Sequence, residues 1–297
     1  MVAHYVRDVG VARSSRVIPT KKKPDGMSGF FFFVYLCEVN RFKQHVLLLL
    51  AAFLLGGLSL QAQKICAHRG FWKCEEAGNT QNSIASLRAA QQNGFWGSEF
   101  DVHLTADDIV VVNHDPSLNG ISIRKNTYKR LLRTRLSNGE SIPSLADYLR
   151  QGAQSSCMLV LEIKPQKTVH RTLALAKACV EELRTFQLLD SSRVMFISFS
   201  FEACRWIAEQ LPGFGNQYLE GDKDPETVHA AGIGGIDYHY TVFRRHPDWV
   251  ARAHALGMDV NAWTVDSRSE MEYLRDLGVD VITTNRPLLL REVLEKQ

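Results

Sequence analysis

The chain has 297 residues, 45% of them hydrophobic and 23% charged, with a formal net charge of +3. This composition suits a large buried core and excludes a disordered or low-complexity chain. The positive charge is local: residues 1–62 hold eight Lys/Arg and three Asp/Glu of the totals 35 and 32, leaving 27 basic and 29 acidic residues, which excludes the broad basic surface of a nucleic-acid binder.

Residues 1–40 contain Lys21-Lys22-Lys23-Pro24 and four phenylalanines at 30–33, without a sustained period. They read as lying outside any domain, and the expected start of translation is downstream of Met1, near Val39. Arg41 and Lys43 precede an apolar run over 46–58, interrupted only by Gly56 and Gly57, and Ser59-Leu60-Gln61-Ala62-Gln63 follows. A basic start, a short apolar core and a small exit residue read as a secretory signal peptide cleaved after Ala62. The run is short for a membrane span, so a retained anchor is the lesser reading. The expectation is therefore a periplasmic or secreted protein, with an N-terminal extension and signal peptide over 1–62 and no stable membrane insertion after cleavage. The remaining part, 63–297, forms one domain. It keeps Cys66, Cys74, Cys157, Cys179 and Cys204. An odd number leaves at least one thiol unpaired, and the absence of a Cys-x-x-Cys pair argues against a thiolate zinc site.

Strands are expected over 65–67, 97–102, 109–113, 159–163, 194–197, 217–219, 236–238, 260–263 and 281–283, where β-branched and other apolar residues run together. Helices are expected over 82–93, 169–185, 202–210, 246–256 and 269–277, where apolar positions recur every three to four residues. The turn Thr105-Ala106-Asp107-Asp108 joins the second and third strands, and 115–143 reads as a loop-rich stretch. Repeated strand–helix steps imply a parallel sheet covered by helices. With one hairpin set aside, eight steps remain, the number of a TIM (β/α)8 barrel with a small loop-rich insertion after its second strand. A doubly wound open sheet is the alternative. It calls for a glycine-rich phosphate turn after the first strand, and Gly70-Phe71-Trp72 is not one.

Side chains alternate along a strand, so Glu99, Asp101 and His103 share one face while Phe100 and Val102 take the other. Carboxylates facing together into a barrel mouth repel unless a cation lies among them. Glu162, at the end of a further strand, adds a third. Three carboxylates are hard oxygen donors, suited to one divalent cation, Mg²⁺ or Ca²⁺. The competing reading is a structural network with Arg69 and Lys164. His68 and His114 each follow a strand, on the rim where barrels of this kind carry their active sites. Two such histidines beside charged partners point to proton transfer. Arg69 offers a planar fork of donors for a phosphate, and Lys164 a point charge. Trp263 ends a strand and is expected to face the mouth as part of the substrate pocket. Tyr238, His239, Tyr240 and Glu220 are candidates for the leaving-group side.

These residues resemble the glycerophosphodiester phosphodiesterase family. The likeness runs from His68 to about Pro287. It takes in His68-Arg69-Gly70, the helix start at 82–89, Glu99-Phe100-Asp101-Val102-His103-Leu104-Thr105-Ala106-Asp107 and His114-Asp115. It continues through Ile142-Pro143-Ser144-Leu145, Glu162-Ile163-Lys164, Trp263-Thr264-Val265 and the stretch from Gly278 to Pro287. The resemblance implies a TIM barrel in which Glu99, Asp101 and Glu162 hold the metal. It implies that His68 and His114 form the acid–base pair and that Arg69 and Lys164 neutralise the phosphate. The implied substrate is a small glycerophosphodiester, cleaved to glycerol 3-phosphate and an alcohol, with water or the neighbouring glycerol hydroxyl as nucleophile. Two departures stand out. Gln81-Asn82 replaces the family's usual Glu-Asn, and Pro116 to Ile121 replaces its usual Arg-Thr-Thr run. The rival readings are a phospholipase-D-like enzyme on intact lipids, for which no exposed apolar run is visible near the insertion, and a non-catalytic barrel that binds phosphodiesters.

Overall fold

Eight parallel strands close on themselves in a computed structural model that describes residues 63–296. The leader, its cleavage site and the expected start lie outside the described residues. The strands are β1 (Lys64–Ala67), β2 (Gly97–Leu104), β3 (Met158–Ile163), β4 (Val194–Ser198), β5 (Asn216–Tyr218), β6 (Gly235–His239), β7 (Asp259–Trp263) and β8 (Val281–Thr284). Each pairs with the next, and β1 pairs with both β8 and β2, which completes the ring. The expected TIM barrel is the fold. The 109–113 segment forms the short strand Val110–Val112, which returns antiparallel along the overhanging end of β2.

The alternation along each strand divides two cores. Phe100, Val102, Leu161 and Ile163 point outward and pack with Leu87, Tyr148 and Leu175 of the surrounding helices. Cys66, Val160, Met195, Ile197, Leu219 and Val281 fill the barrel interior. Both faces of β2 are buried, so a polar residue on its inner face leaves water entirely. Register then matters: Asp101 lies opposite Glu162 across the β2–β3 pair.

The helices are α1 (Ile84–Gln92), α2 (Tyr128–Leu131), α3 (Leu145–Gly152), α4 (Val169–Thr185), α5 (Phe201–Gln210), α6 (Pro225–Ala230), α7 (Tyr240–Arg245), α8 (Asp248–Ala255), α9 (Arg268–Leu277) and α10 (Pro287–Glu295). Ser83, Ser144, Thr168, Ser200, Asp224 and Ser267 each cap a helix through a side-chain oxygen. Each cap satisfies a backbone N–H that the helix leaves free, worth about 1 kcal/mol. Two departures from the expected elements have local causes. Asn82 is outside α1, because its φ of 53° is not helical. The 246–256 helix begins later, at α8, with Pro247 as its N-cap, and α7 precedes it; Pro247 has no N–H with which to continue α7. Helices α2, α3, α6, α7 and α10 are additions, and α3 does carry a helical spacing, with Leu145, Tyr148 and Leu149 buried.

The insertion is loop-rich as expected but not featureless. Strands Ser117–Leu118 and Ile121–Ser122 form a hairpin turned by Asn119 and Gly120, both at positive φ. Leu118, Ile123, Leu131 and Ile142 pack on Val111 as a small core of its own. Among the described residues all five cysteines are free thiols. No helix among them is long and apolar enough to cross a membrane.

Candidate active site

At the C-terminal rim the backbone after β1 is held tightly. His68 N donates to Thr284 O at 3.0 Å, and Arg69 N donates to Glu99 Oε2 at 2.7 Å. Arg69 and Gly70 both take positive φ, 56° and 79°. A Cβ on Gly70 would lie 2.4 Å from Ser86 Oγ and 2.7 Å from the Ser86 carbonyl carbon, so only glycine fits. This turn aims His68 and Arg69 at the mouth of the barrel.

Glu99, Asp101 and Glu162 present oxygens that all lie within 4.8 Å of one another, and all three side chains are buried. Lys164 Nζ sits 2.8 Å from Asp101 Oδ1 and 2.8 Å from Glu162 Oε1. Arg69 Nε stands 3.7 Å from Asp101 Oδ2. Two cations among three carboxylates leave the cluster short of positive charge. Burial, with Asp101 and Glu162 beside it, pushes the Glu99 carboxyl well above the usual range. Burial, followed by the charge of Asp101, pushes Glu162 up to about 8. Burial acts the same way on Asp101, but Lys164 and His114 outweigh it and hold that carboxyl low. Glu99 Oε1 is buried without a hydrogen-bond partner among the described residues. An unpartnered buried carboxylate oxygen beside two more hard donors is what a divalent cation satisfies.

The histidines flank this cluster. His68 Nδ1 is 2.9 Å from Asn285 Oδ1, and its Nε2 is 4.0 Å from Glu99 Oε2. Burial, then the Arg69 charge, lowers its pKa to about 4, so the ring is neutral near pH 7. His114 Nδ1 lies 2.8 Å from Asp115 Oδ1, and its carbonyl lies 3.0 Å from His103 Nε2. Seven of the eight residues expected at the site (His68, Arg69, Glu99, His114, Glu162, Lys164 and Trp263) line one pocket. Asp101 stands behind them, its Oδ2 accepting from Asn82 Nδ2 at 2.8 Å.

The Glycerophosphoryl diester phosphodiesterase family matches residues 68–289. The chain belongs to this family. Among relatives, a Mycobacterium tuberculosis protein named "Probable glycerophosphodiester phosphodiesterase 2" is 28% identical over 77% of this chain and 89% of its own. A glycerophosphodiester phosphodiesterase structure from Parabacteroides distasonis is 41% identical, covering 79% of this chain and 98% of its own, with a TM-score of 0.76. An Oleispira antarctica phosphodiesterase structure holding sn-glycerol-3-phosphate has a TM-score of 0.68 over 79% of this chain and 98% of its own, and at 24% identity it attests to the fold alone.

Within this family member, some groups around the site escaped the sequence reading. Asn285 accepts from Trp72 Nε1 at 2.9 Å and donates through Nδ2 to Asp266 Oδ2 at 2.9 Å. Its amide orientation is therefore set, because an indole only donates and a carboxylate accepts. Asn285 lies inside one of the quoted motifs, but its partners Trp72 and Asp266 are remote in sequence. Asp237 is a fourth buried carboxylate, with Oδ1 unpartnered among the described residues; burial, then Glu162, raises its pKa well above the usual range. It lines the pocket, whereas Tyr238 does not. Strand alternation sends Tyr238 outward, where its hydroxyl donates to Lys223 O at 2.8 Å. Glu220 is exposed beside the pocket residue Leu219, and His239 meets the site edge-on against Trp263. The Trp263 indole donates to Asp237 O at 2.8 Å, which fixes its ring at the mouth. Gln81, the departure from the family pattern, accepts from Arg69 Nη1 at 2.6 Å, so it still orients the arginine.

Proposed function

We propose that this protein is a metal-dependent phosphodiesterase that hydrolyses glycerophosphodiesters to glycerol 3-phosphate and an alcohol, with a histidine acid–base pair. The observation that carries the reading is that two histidines and two cations line one pocket with Glu99 and Glu162, while Asp101 completes the buried carboxylate cluster behind them. A phosphodiester resists attack because it is an anion. Arg69 and Lys164 offset that charge, and Lys164 stays protonated: burial lowers its pKa, but Asp101 and Glu162 outweigh burial and raise it. Glu99, Asp101 and Glu162 would hold one cation, Mg²⁺ or Ca²⁺. When bound, the ion supplies Lewis-acid stabilisation of the charge that builds on the phosphoryl oxygens.

Hydrogen bonding supports an assignment of the histidine roles. Asn285 Oδ1 is an acceptor, so His68 Nδ1 carries the proton and Nε2 keeps its lone pair. We assign His68 as the base that takes a proton from the attacking water. The water oxygen bonds to phosphorus as the bond from phosphorus to the alcohol oxygen breaks. His114, as the imidazolium whose Nδ1–H is held by Asp115, gives its Nε2 proton to the departing alkoxide, and burial, which lowers its pKa, favours release of that proton. Trp263 packs against the glycerol. Export to the periplasm or medium is part of the reading, on the basic–apolar–small pattern of 41–63. N-terminal sequencing of the protein from fractionated cells tests it; a peptide from residues 2–20 in the mature protein would overturn it.

The reaction is tested with metal-stripped protein, glycerophosphocholine and glycerophosphoethanolamine, and Mg²⁺ or Ca²⁺ in separate tubes. Release of glycerol 3-phosphate that requires added metal is the expected result. Release at full rate without metal would sink the metal assignment. His114→Ala is expected to lose about 10²–10⁴-fold in turnover while still binding metal, and Glu162→Gln to lose metal affinity and turnover together.

A further inference from the structure

The insertion over the active-site rim is strongly basic. Arg124, Lys125, Lys129, Arg130, Arg133 and Arg135 fall within one short stretch, and all six are exposed. Among the described residues none of them enters an ion pair. Glu140 is the one acidic residue in 116–143, and its carboxylate is taken by the backbone N–H groups of Ile84 and Ala85, at 2.9 and 3.2 Å. The domain as a whole is near neutral, so this field is local. Asp107 borders it, accepting from Tyr128 N–H at 2.9 Å.

A second observation concerns apolar surface. The large hydrophobic side chains left exposed among the described residues are Ile109, Leu132, Val169 and Leu288. All four lie on the same rim. Ile109 is in the turn after β2, Leu132 follows α2 in the insertion, Val169 opens α4 just beyond β3, and Leu288 is in the first turn of α10 just beyond β8. In a barrel of this kind, strand C-termini and helix N-termini share one end. The opposite end and the helical flank expose no such side chain among the described residues.

We propose that this rim docks on an anionic phospholipid surface. The insertion's cations meet the lipid headgroups, the isolated aliphatic side chains enter the interface, and the pocket mouth faces the bilayer. Cations alone would suit a nucleic acid equally well. The aliphatic side chains distributed around the same rim have no counterpart on a phosphodiester backbone, whereas a lipid interface accepts both kinds of group. The attraction acts over about a Debye length, so docking is reversible and weakened by salt. Residues 61–297 form one compact unit, and the solved Parabacteroides distasonis relative is covered over 98% of its length by 79% of this chain.

The test uses the 63–297 chain and sedimentation with phosphatidylglycerol–phosphatidylcholine vesicles against pure phosphatidylcholine vesicles. Binding to the anionic vesicles only, lost at high salt, is expected. Reversal of four charges, R124E/K125E/K129E/R130E, is expected to weaken that binding at least about 30-fold. Turnover of a soluble glycerophosphodiester should not change, which separates this outcome from a failed catalytic reading. Ile109→Ser with Leu132→Ser should weaken binding at unchanged charge, and circular dichroism checks folding, with K129Q/R130Q as the milder variant. Equal binding to both vesicle types, full retention of anionic binding by the reversal variant, or a preference for DNA or RNA removed by the same reversal would each overturn the proposal.

Discussion

At the scale of single residues, the site is governed by how buried polar groups are paired. Asn285 does not itself line the pocket, yet through its contact with His68 it decides which nitrogen of that ring carries a proton. Asn285→Ala removes that constraint and is expected to lower kcat by about 10²-fold with a smaller change in KM, while Asn285→Asp, which keeps an acceptor, should recover part of it. Equal losses in both variants, with kcat and KM moving together, would reduce Asn285 to a packing role. Away from the site, Glu182 on α4 has a buried oxygen with no partner among the described residues, and burial, then Asp147, raises its pKa to about 7. The sign follows. Between its ordinary value and about 7 the unfolded chain has lost the proton while the folded chain keeps it, so stability falls as pH rises through that window. Glu182→Gln should therefore stabilise the protein by roughly 1–2 kcal/mol at pH 8 and make little difference below pH 4. Denaturant midpoints at the two pH values check this.

Elements act as rulers for the site. The β2–β3 register brings Asp101 opposite Glu162, and the alternation of β2 places Glu99 and Asp101 on the inner face. A one-residue slip would turn both carboxylates toward the helices. The turn after β1 is equally constrained. Gly70→Ala would force a Cβ into Ser86 at positive φ, with an expected cost of about 3 kcal/mol or more and loss of turnover as His68 and Arg69 shift. Thermal unfolding measures the first and the phosphodiesterase assay the second. Unchanged stability would mean that α1 moves aside without penalty.

Across the whole molecule, stability rests on the closed sheet and its two cores and not on covalent staples. Among the described residues four of the five thiols are buried, and all five are free. Tm is therefore expected to be the same with and without a reductant, as read by scanning calorimetry. A fall of several degrees with reductant would reveal a disulfide. The same global arrangement gathers the exposed apolar side chains on one rim, although each is isolated in the chain.

The fold class and seven pocket residues were legible in the chain because strand periodicity is local, and because each site residue lies in a strand or within two residues of its end. The carboxylate and histidine motifs needed only their own neighbourhoods. Other features depend on contacts between residues far apart in sequence. Asn285 with Trp72 and Asp266 joins the first rim loop to those after β7 and β8. Asp237 looked like any polar strand residue until closure of the barrel buried it beside Glu162. The rim's apolar side chains form a set only because strand ends and helix starts meet at one end. Periodicity assigns an element and a face; burial, pairing and shared surface are properties of the closed barrel, since they are set by which strands become neighbours.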